Sequence, residues 1–269
     1  MKGSSLRRAA LIGYAGAFYA FLYLPILLLV VLSVNDSQVI GLPFQGFTWR
    51  WFEEVWATPA LVRAILNSTM LGAASAIVAT SLALMLAMGF RAEFPGKSLL
   101  MKALLLPILI PGIVGGIIYL AFFGVVGVPP GLWPAALVAH VTWVLPFAFL
   151  TIFPRLHGFD RSIEEAAMDL GATPWGVFRL VVLPLVRPGL IATAMFAFTL
   201  SFDEFIRTLF VVGNDRTVPV QLWTLLSEQM APFLPAVGVV VMAVSVLVSL
   251  AGFVISARAD RGRARRSSA

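Results

Sequence analysis

Two adjacent acids, Asp203 and Glu204, lie inside a long apolar segment between Phe202 and Phe205. Carboxylates in apolar surroundings are costly and usually face a water-filled cavity or a charged partner. Arg207 follows Asp203 by four residues and Glu204 by three, so on a helix it can neutralise one of them. Two interpretations stay open: an internal ion pair with the other acid reaching water, or an uncompensated carboxylate that attracts a cation beside the aromatic face of Phe202 or Phe205.

The rest of the sequence offers little for catalysis, cofactors or metals. It has no cysteine, and His140 and His157 are too far apart to form a local metal motif. Gly96-Lys97-Ser98 is similar to the end of a phosphate-binding loop, but Arg91 stands where the first glycine is needed and no strand precedes it. We therefore expect no cofactor, no metal site and no enzymatic activity.

Composition makes the lipid bilayer the solvent for most of this chain. Hydrophobic residues are 60% of the total and charged residues only 12%, while the mean hydropathy is +0.95. Ordinary globular chains have about twice that charged fraction. The net charge is +6, and the basic residues lie in short segments between the apolar ones. This distribution favours contact with anionic lipid over binding of nucleic acid.

The apolar segments predict six transmembrane helices, each needing about 20 residues to cross the hydrocarbon core. The segment after the amino-terminal charges is longer than the apolar part of a signal peptide and lacks a cleavage site, so we expect a retained helix. Gly127–Gly131 divides an uncharged run into two spans. The chain, 1–269, is predicted to be a single all-α domain whose spans cover about 9–34, 64–90, 103–126, 133–153, 188–212 and 229–257.

Basic residues predict the orientation of these spans. Fifteen of the 19 lysines and arginines fall in the two termini and in the second and fourth loops. Such residues concentrate on the cytoplasmic side, so both termini and both of these loops are expected there.

In an unbroken fifth helix that begins at Pro188, Asp203 would lie about 22 Å along the axis, beyond the midplane of the membrane toward the outer side.

The fourth loop, 154–187, is far longer than a turn and predicts local structure. Ser162 and Glu165 fit a capping box, in which the Ser162 hydroxyl accepts the Glu165 N–H and the Glu165 side chain reaches back. A short helix is expected from Ile163 to about Leu170. Gly171 then stands where a left-handed residue ends a helix.

A second short helix should follow in the same loop. Thr173 is a good N-cap and Pro174 suits the first helical position. This helix is expected to run to about Val182 and to stop before Pro184. The residues leave two interpretations open: a projecting knob, with Ala166-Ala167 at its tip, that fits a groove on another protein, or an amphipathic segment on the lipid surface.

The residue pattern of this loop resembles a known family. It reads Glu165-Ala166-Ala167, three residues, Gly171, nine residues, and then Val181-x-Leu183-Pro184. This is similar to the EAA motif of bacterial ABC-importer permeases, which has isoleucine where Val181 stands. The resemblance extends from the start of the second span to the sixth.

The resemblance implies a role for each motif residue in a coupling helix that docks into a separate ATPase. Glu165 would make polar contacts at the docking surface, and Ala166 and Ala167 would permit close approach. Gly171 would set the turn, and Pro184, after Leu183, would end the element.

The resemblance also implies the fold and the assembly. The fold would be the MetI-like permease fold, with six spans and the coupling helix between spans four and five. The chain would form half of a translocation pathway in the bacterial inner membrane. Its partners would be two copies of an ATP-binding-cassette ATPase, a second homologous permease and a soluble extracytoplasmic substrate-binding protein.

A further resemblance concerns the solute. The Ser-Phe-Asp-Glu-Phe run at 201–205, Gly213 and the segment 217–223 are similar to the spermidine/putrescine branch of these permeases. This implies a polyamine-like cation, although permeases for iron, thiosulfate or phosphonates share parts of the pattern.

The alternative function, from another class of transporter, is a secondary carrier that works alone and is coupled to protons or ions. Asp203, Glu204 and His140 could serve as a proton or ion relay in such a carrier. A lone carrier has no need for the knob in the fourth loop, however, and the sequence shows no internal repeat of the kind such carriers have.

The first extramembrane loop, 44–59, holds Trp49, Trp51 and Trp56. Tryptophan anchors spans at the membrane–water boundary, so an interfacial helix is expected. The family resemblance also allows this loop to be a surface for a substrate-binding protein.

Overall fold

A computed structural model of the chain describes residues 2–158, 160–228 and 231–266. These residues form helices and connecting segments, and the only β-type pairing among them is a single bridge between Asn35 and Phe47. Five helices are long and apolar enough to cross a membrane, and a bent pair can supply a sixth span. The predicted all-α membrane fold is confirmed.

The described residues contain twelve α-helices. Two π-turns, Leu132–Ala136 and Phe178–Val182, precede the sixth and the ninth α-helix. The helices are α1 Lys2–Ser33, α2 Arg50–Ala57, α3 Pro59–Gly89, α4 Lys97–Leu109, α5 Gly112–Val126, α6 Leu137–His157, α7 Ser162–Asp169, α8 Pro174–Val177, α9 Leu183–Phe202, α10 Ile206–Val211, α11 Val218–Glu228 and α12 Leu234–Arg266.

The chain divides into two compact units, Met1–Val62 with Leu222–Val244, and Arg63–Gln221 with Ser245–Ala269. In the first unit, Asn35 organises the loop between α1 and α2. Its Oδ1 accepts the backbone N–H of Gln45 at 2.7 Å, and its carbonyl accepts the indole N–H of Trp51 at 2.7 Å. These bonds fix where α2 begins.

The helix expected in this loop is confirmed as α2. Its hydrophobic side is covered at Trp51, which is 4% exposed, whereas Trp49 and Trp56 are 59% and 57% exposed. The two exposed indoles lie on the surface of the unit, where a tryptophan at the membrane boundary would be placed.

The predicted third span differs from the structure. It begins six residues earlier, at Lys97, and it is bent by 107° between α4 and α5. Pro111 explains the bend, because a residue before proline is disfavoured in the helical conformation. Ile110 accordingly takes an extended conformation, with φ −81° and ψ 120°.

The predicted boundaries of the fifth span are also wrong. The second loop helix does not stop before Pro184: α8, a π-turn and α9 form one apolar helix, Pro174–Phe202. In the π-turn the Leu183 N–H bonds to the carbonyl of Phe178, five residues back. This wider register accommodates Pro184, which lacks a donor, without ending the helix.

The helix that contains the fifth span then ends ten residues sooner than predicted. It ends at Phe202, and α10 begins at Ile206 after a three-residue interruption. The predicted sixth span falls on α12, whose apolar stretch is Leu234–Gly252. The predicted start of that span, 229, lies outside the described residues.

Candidate functional site

The first candidate site is the loop between α6 and α9, and its first helix begins differently from the prediction. No capping box forms, because the N-cap of α7 is Arg161 and Ser162 is already helical. The Asp160 Oδ1, one residue before this cap, instead accepts the Ser162 N–H at 2.9 Å, a donor without a partner inside the helix. Hydrogen bonds from the backbone and side chain of Ser162 hold the pKa of the Asp160 carboxyl below its usual value.

The turn between α7 and α8 is confirmed as predicted. Gly171 has φ +89°, a left-handed conformation that favours glycine. Thr173 caps α8 by accepting the N–H of Gly176 at 3.1 Å, and Pro174 occupies the start of that helix. A glycine turn and a side-chain cap therefore separate α7 from the long helix that begins with α8.

The surface of α7 combines an acid, a small residue and exposed apolar side chains. Glu165 and Ala166 are exposed, while Ile163 and Met168 are each 46% exposed. Leu170, at the end of this surface, is 90% exposed. Apolar groups left open in this way are typical of protein contact surfaces. Of the remaining motif residues, Ala167 and Leu183 are half-buried and Pro184 is exposed.

Two polar contacts that the sequence did not predict join α7 to the connection between α3 and α4. We call the ion pair between Arg91 and Glu164, together with the hydrogen bond from Arg161 to the Arg91 carbonyl, the bracket. The guanidinium of Arg91 lies 2.5 Å from Glu164 Oε1, and these side chains are 8% and 17% exposed. Arg161 also donates to the backbone carbonyl of Arg91 at 2.5 Å. The paired residues are 73 positions apart, so no local spacing could have indicated the contact.

The second candidate site is the interruption between α9 and α10, which contains both predicted acids. Glu204 is the partner of Arg207: Oε2 accepts from Nη1 at 3.1 Å, and Oε1 accepts the backbone N–H at 2.9 Å. Glu204 therefore neutralises the arginine and also satisfies a free backbone N–H in the first turn of α10. The predicted depth of Asp203 in an unbroken helix does not apply, since Asp203 lies just beyond the end of α9.

Arg207 also reaches the bend between α4 and α5. It is 6% exposed, and its Nη2 donates to the carbonyl of Ile110 at 3.3 Å. The guanidinium carbon lies 3.7 Å from the centre of the Trp143 ring, a cation–π arrangement. One side chain thus contacts both interrupted helices and α6.

Asp203 is the open acid of the pair. Its residue is exposed, and within 2–158, 160–228 and 231–266 its carboxylate has neither a hydrogen-bond partner nor a counter-ion. Phe202 is 1% exposed and stacks on Phe198 at 5.5 Å, so it supports the site from within the core. Phe205 is half-buried and packs against an apolar cluster that includes Val211.

Small residues let α5 and α10 approach closely beside this site. A Cβ atom on Gly116 would lie 2.3 Å from Phe210 Cδ2, and one on Gly115 would lie 3.3 Å from Arg207 Nε. Any larger side chain at Gly116 would have to displace Phe210. The glycines therefore serve packing within this chain.

The segment after α10 is held by specific backbone contacts. Gly213 has φ +60°, and a Cβ there would lie 2.8 Å from the carbonyl oxygen of Pro130. Ser68 Oγ on α3 accepts the N–H of Val218 at 2.9 Å and so fixes the start of α11. Gly213 and Val218 therefore have structural roles in this unit.

Comparisons with known proteins agree with these features. A family model described as "Binding-protein-dependent transport system inner membrane component" matches residues 13–264. The chain is 34% identical over 229 residues to the spermidine/putrescine transport system permease protein PotC of Haemophilus influenzae, covering 84% of this chain and 88% of that protein. It is 32% identical over 258 residues to the putrescine transport system permease protein PotI of Escherichia coli, covering 92% and 90%.

Solved structures share the fold at lower identity. A chain of a bacterial alginate ABC transporter, in complex with an alginate pentasaccharide-bound periplasmic protein, superposes with a TM-score of 0.75 at 15% identity, covering 96% of each chain. A chain of the MetNI methionine ABC transporter, in an inward-facing conformation, gives 0.62 at 19% identity, covering 77% of this chain and 98% of that one.

Proposed function

Since the chain belongs to the family of binding-protein-dependent transport system inner membrane components, and is a permease subunit rather than an enzyme, we propose that the solute it conducts is a polyamine-like cation. The chain would form half of the pathway for this solute. The open carboxylate of Asp203, at the interruption between α9 and α10, is the observation that carries the proposal.

The charges around the interruption favour a cation. Arg207 is neutralised by Glu204 at 3.1 Å, so Asp203 leaves the cluster with one net negative charge. The carboxyl end of α9 adds to it, because the last carbonyls of a helix have no partner within the helix and carry partial negative charge. Interrupted helices that direct their ends at the solute recur in transporters.

Long, flexible diamines and triamines suit such a site. An ammonium group can bind the Asp203 carboxylate, and Phe205, half-buried next to it, can contact the methylene chain or the second ammonium group. The names of the relatives, spermidine/putrescine and putrescine permeases, support the same class. Iron, thiosulfate and phosphonates remain the competing solutes, and the two anions among them would meet a repulsive site.

We further propose that α7 is the coupling helix. Its exposed Glu165, Ala166 and neighbouring apolar side chains would dock into a cleft of an ATP-binding-cassette ATPase, of which two copies are expected. Gly171 would hold the angle between α7 and α8, and Leu183 and Pro184 would mark the passage into α9. ATP would be hydrolysed by that partner alone.

The remaining partners follow from the same family. We expect a second homologous permease to complete the pathway and a soluble extracytoplasmic protein to deliver the solute. The chain is a multi-pass protein of the inner membrane. The distribution of basic residues supports cytoplasmic placement of both termini, the α3–α4 connection and the α6–α9 loop.

Uptake by the assembled transporter tests the solute. The complex is reconstituted in proteoliposomes with its ATPase and binding protein, and ATP-dependent uptake of radiolabelled spermidine and putrescine is measured. We expect uptake of at least one, competed by the other and unaffected by thiosulfate, a phosphonate or ferric ion. Uptake of one of those three solutes, without polyamine uptake, would contradict the proposal. Uptake that persists without ATP would instead favour the stand-alone carrier.

A further inference from the structure

We propose that His140 is a positioning residue that maintains the interruption between α9 and α10 and thereby presents Asp203 to the solute. The inference rests on the proposed function, since it concerns how the same acid is placed. His140 lies on α6, opposite the interruption, and its side chain is fully buried.

The imidazole of His140 bridges the two helices across the interruption. Nδ1 lies 2.7 Å from the hydroxyl oxygen of Ser201, in the last turn of α9. Nε2 lies 2.7 Å from the hydroxyl oxygen of Thr208, in α10. Both hydroxyl residues are buried, at 3% and 0% exposure. A single side chain therefore fixes the distance between the end of one helix and the start of the next.

The donors and acceptors available at Thr208 and Ser201 determine which atom donates in each of these two bonds. The Thr208 hydroxyl donates to the backbone carbonyl of Glu204 at 2.7 Å, and a hydroxyl has only one hydrogen to give. Its oxygen must therefore accept from His140, which places a proton on Nε2. In the neutral ring Nδ1 then accepts the hydroxyl hydrogen of Ser201. Every polar atom of the bridge has a partner, as buried groups require.

The local sequence explains only part of the interruption, through the Glu204 side chain that accepts the Arg207 N–H. The residues between Phe202 and Ile206 are Asp203, Glu204 and Phe205, with neither proline nor glycine among them. Sharp breaks in helices normally occur at those residue types or where another group enters the hydrogen-bond ladder. Here the tertiary contacts of His140 hold α9 and α10 apart.

The bridge also sets the backbone that carries the two acids. Through Thr208 it reaches the carbonyl of Glu204, whose side chain already pairs with Arg207. Asp203, one residue earlier, is the C-cap of α9 and has an open carboxylate. Loss of the bridge would let α9 extend or shift and would move Asp203 away from the solute.

Substitution of Thr208 tests the bridge while leaving His140 in place. Thr208→Val keeps the shape but removes the acceptor of the Nε2 proton, whereas Thr208→Ser keeps the hydroxyl. We expect Thr208→Val and His140→Phe to raise the KM for spermidine uptake roughly tenfold, the order of one lost buried hydrogen bond. Thr208→Ser should remain within about twofold of wild type, as the matched control.

Asp203→Asn, measured beside them, separates the two proposals. If this variant takes up spermidine with an unchanged KM, the proposed cation site fails. If it is impaired while Thr208→Val and His140→Phe keep the wild-type KM, only the positioning role of His140 is overturned. The amount of transporter in the membrane and the amount of copurified ATPase are measured for every variant.

Where a variant does not assemble, NMR of the imidazole nitrogens in the otherwise wild-type complex tests whether His140 forms the bridge. The chain has only two histidines, His140 and His157, so the His157→Gln variant leaves one ¹⁵N-labelled imidazole in this subunit when labelled histidine is supplied to it alone. We expect a protonated Nε2 and an unprotonated Nδ1. The opposite tautomer, or an imidazole that exchanges freely with water, would contradict the bridge.

Discussion

The guanidinium of Arg207 donates a hydrogen bond to the backbone carbonyl of Ile110 at 3.3 Å and so joins two interrupted helices. The carbonyl is available because Pro111 cannot continue the helical ladder of α4. Glu204 neutralises the same guanidinium, and Trp143 covers its face. The open acid Asp203 is thus placed by contacts between helices that are far apart in the sequence.

Removing one member of the buried pair should destabilise the protein more than removing both. Side-chain exposures of 7% for Arg207 and 9% for Glu204 leave a lone charge without solvent. We expect Arg207→Met or Glu204→Gln to lower the free energy of unfolding by about 3 kcal/mol. The double variant should recover part of this loss. Thermal unfolding in detergent measures the effect, and a double variant less stable than both single ones would contradict it.

Gly116→Ala should destabilise the packing of α5 on α10. The added Cβ would lie 2.3 Å from Phe210 Cδ2, and overpacking of this kind costs about 1–3 kcal/mol. Gly124→Ala on the same helix is the control, because its Cβ would meet nothing within 4 Å. Phe210→Leu should partly rescue Gly116→Ala. Equal melting temperatures for the two alanine variants would contradict the close approach.

Reversal of the bracket between α7 and the α3–α4 connection should impair communication with the ATPase. Arg91→Glu and Glu164→Arg each place like charges together at a largely buried contact. We expect each to reduce solute-stimulated ATP hydrolysis several-fold, and the double reversal to restore part of it. Reversing the pair Lys97–Glu93, whose lysine is 18% exposed and whose glutamate is 88% exposed, should have less effect because one partner is open to solvent. No recovery in the double reversal would contradict the pairing.

Substitutions at Gly171 should weaken attachment of the ATPase in a graded order. At φ +89° a β-branched residue is most strained and asparagine least, with alanine between them. We expect the amount of copurified ATPase to fall in the order asparagine, alanine, valine, while the level of the permease in the membrane stays constant. Equal amounts for all three variants would show that the turn does not position the docking surface.

The sequence predicted the features that depend on local rules. Apolar length predicted an all-α membrane fold, and Thr173-Pro174 and Gly171 predicted the cap and turn that the structure has. The same rules gave wrong predictions at the start of α7 and at Pro184, where other residues or another helical register satisfy the backbone. Asp160, rather than Ser162, accepts a free N–H at the start of α7, and a π-turn accommodates Pro184.

The candidate site depended on contacts that no spacing reveals. Pro111 was a visible signal for the bend between α4 and α5, but neither proline nor glycine marks the interruption at 203–205. Which acid pairs with Arg207 was open in the sequence, because both spacings suit a helix. The structure resolves the choice in favour of Glu204, through contacts that also involve residues 97 positions apart.

The central claim is tested most directly by comparing Asp203→Asn and Asp203→Glu in ATP-dependent uptake of radiolabelled spermidine by the reconstituted transporter. An ammonium–carboxylate contact is worth at least a factor of about ten. We predict that Asp203→Asn raises the KM for spermidine by about that factor or more, at unchanged permease level, and that Asp203→Glu, which keeps the charge, retains most uptake. A wild-type KM in Asp203→Asn would contradict the account.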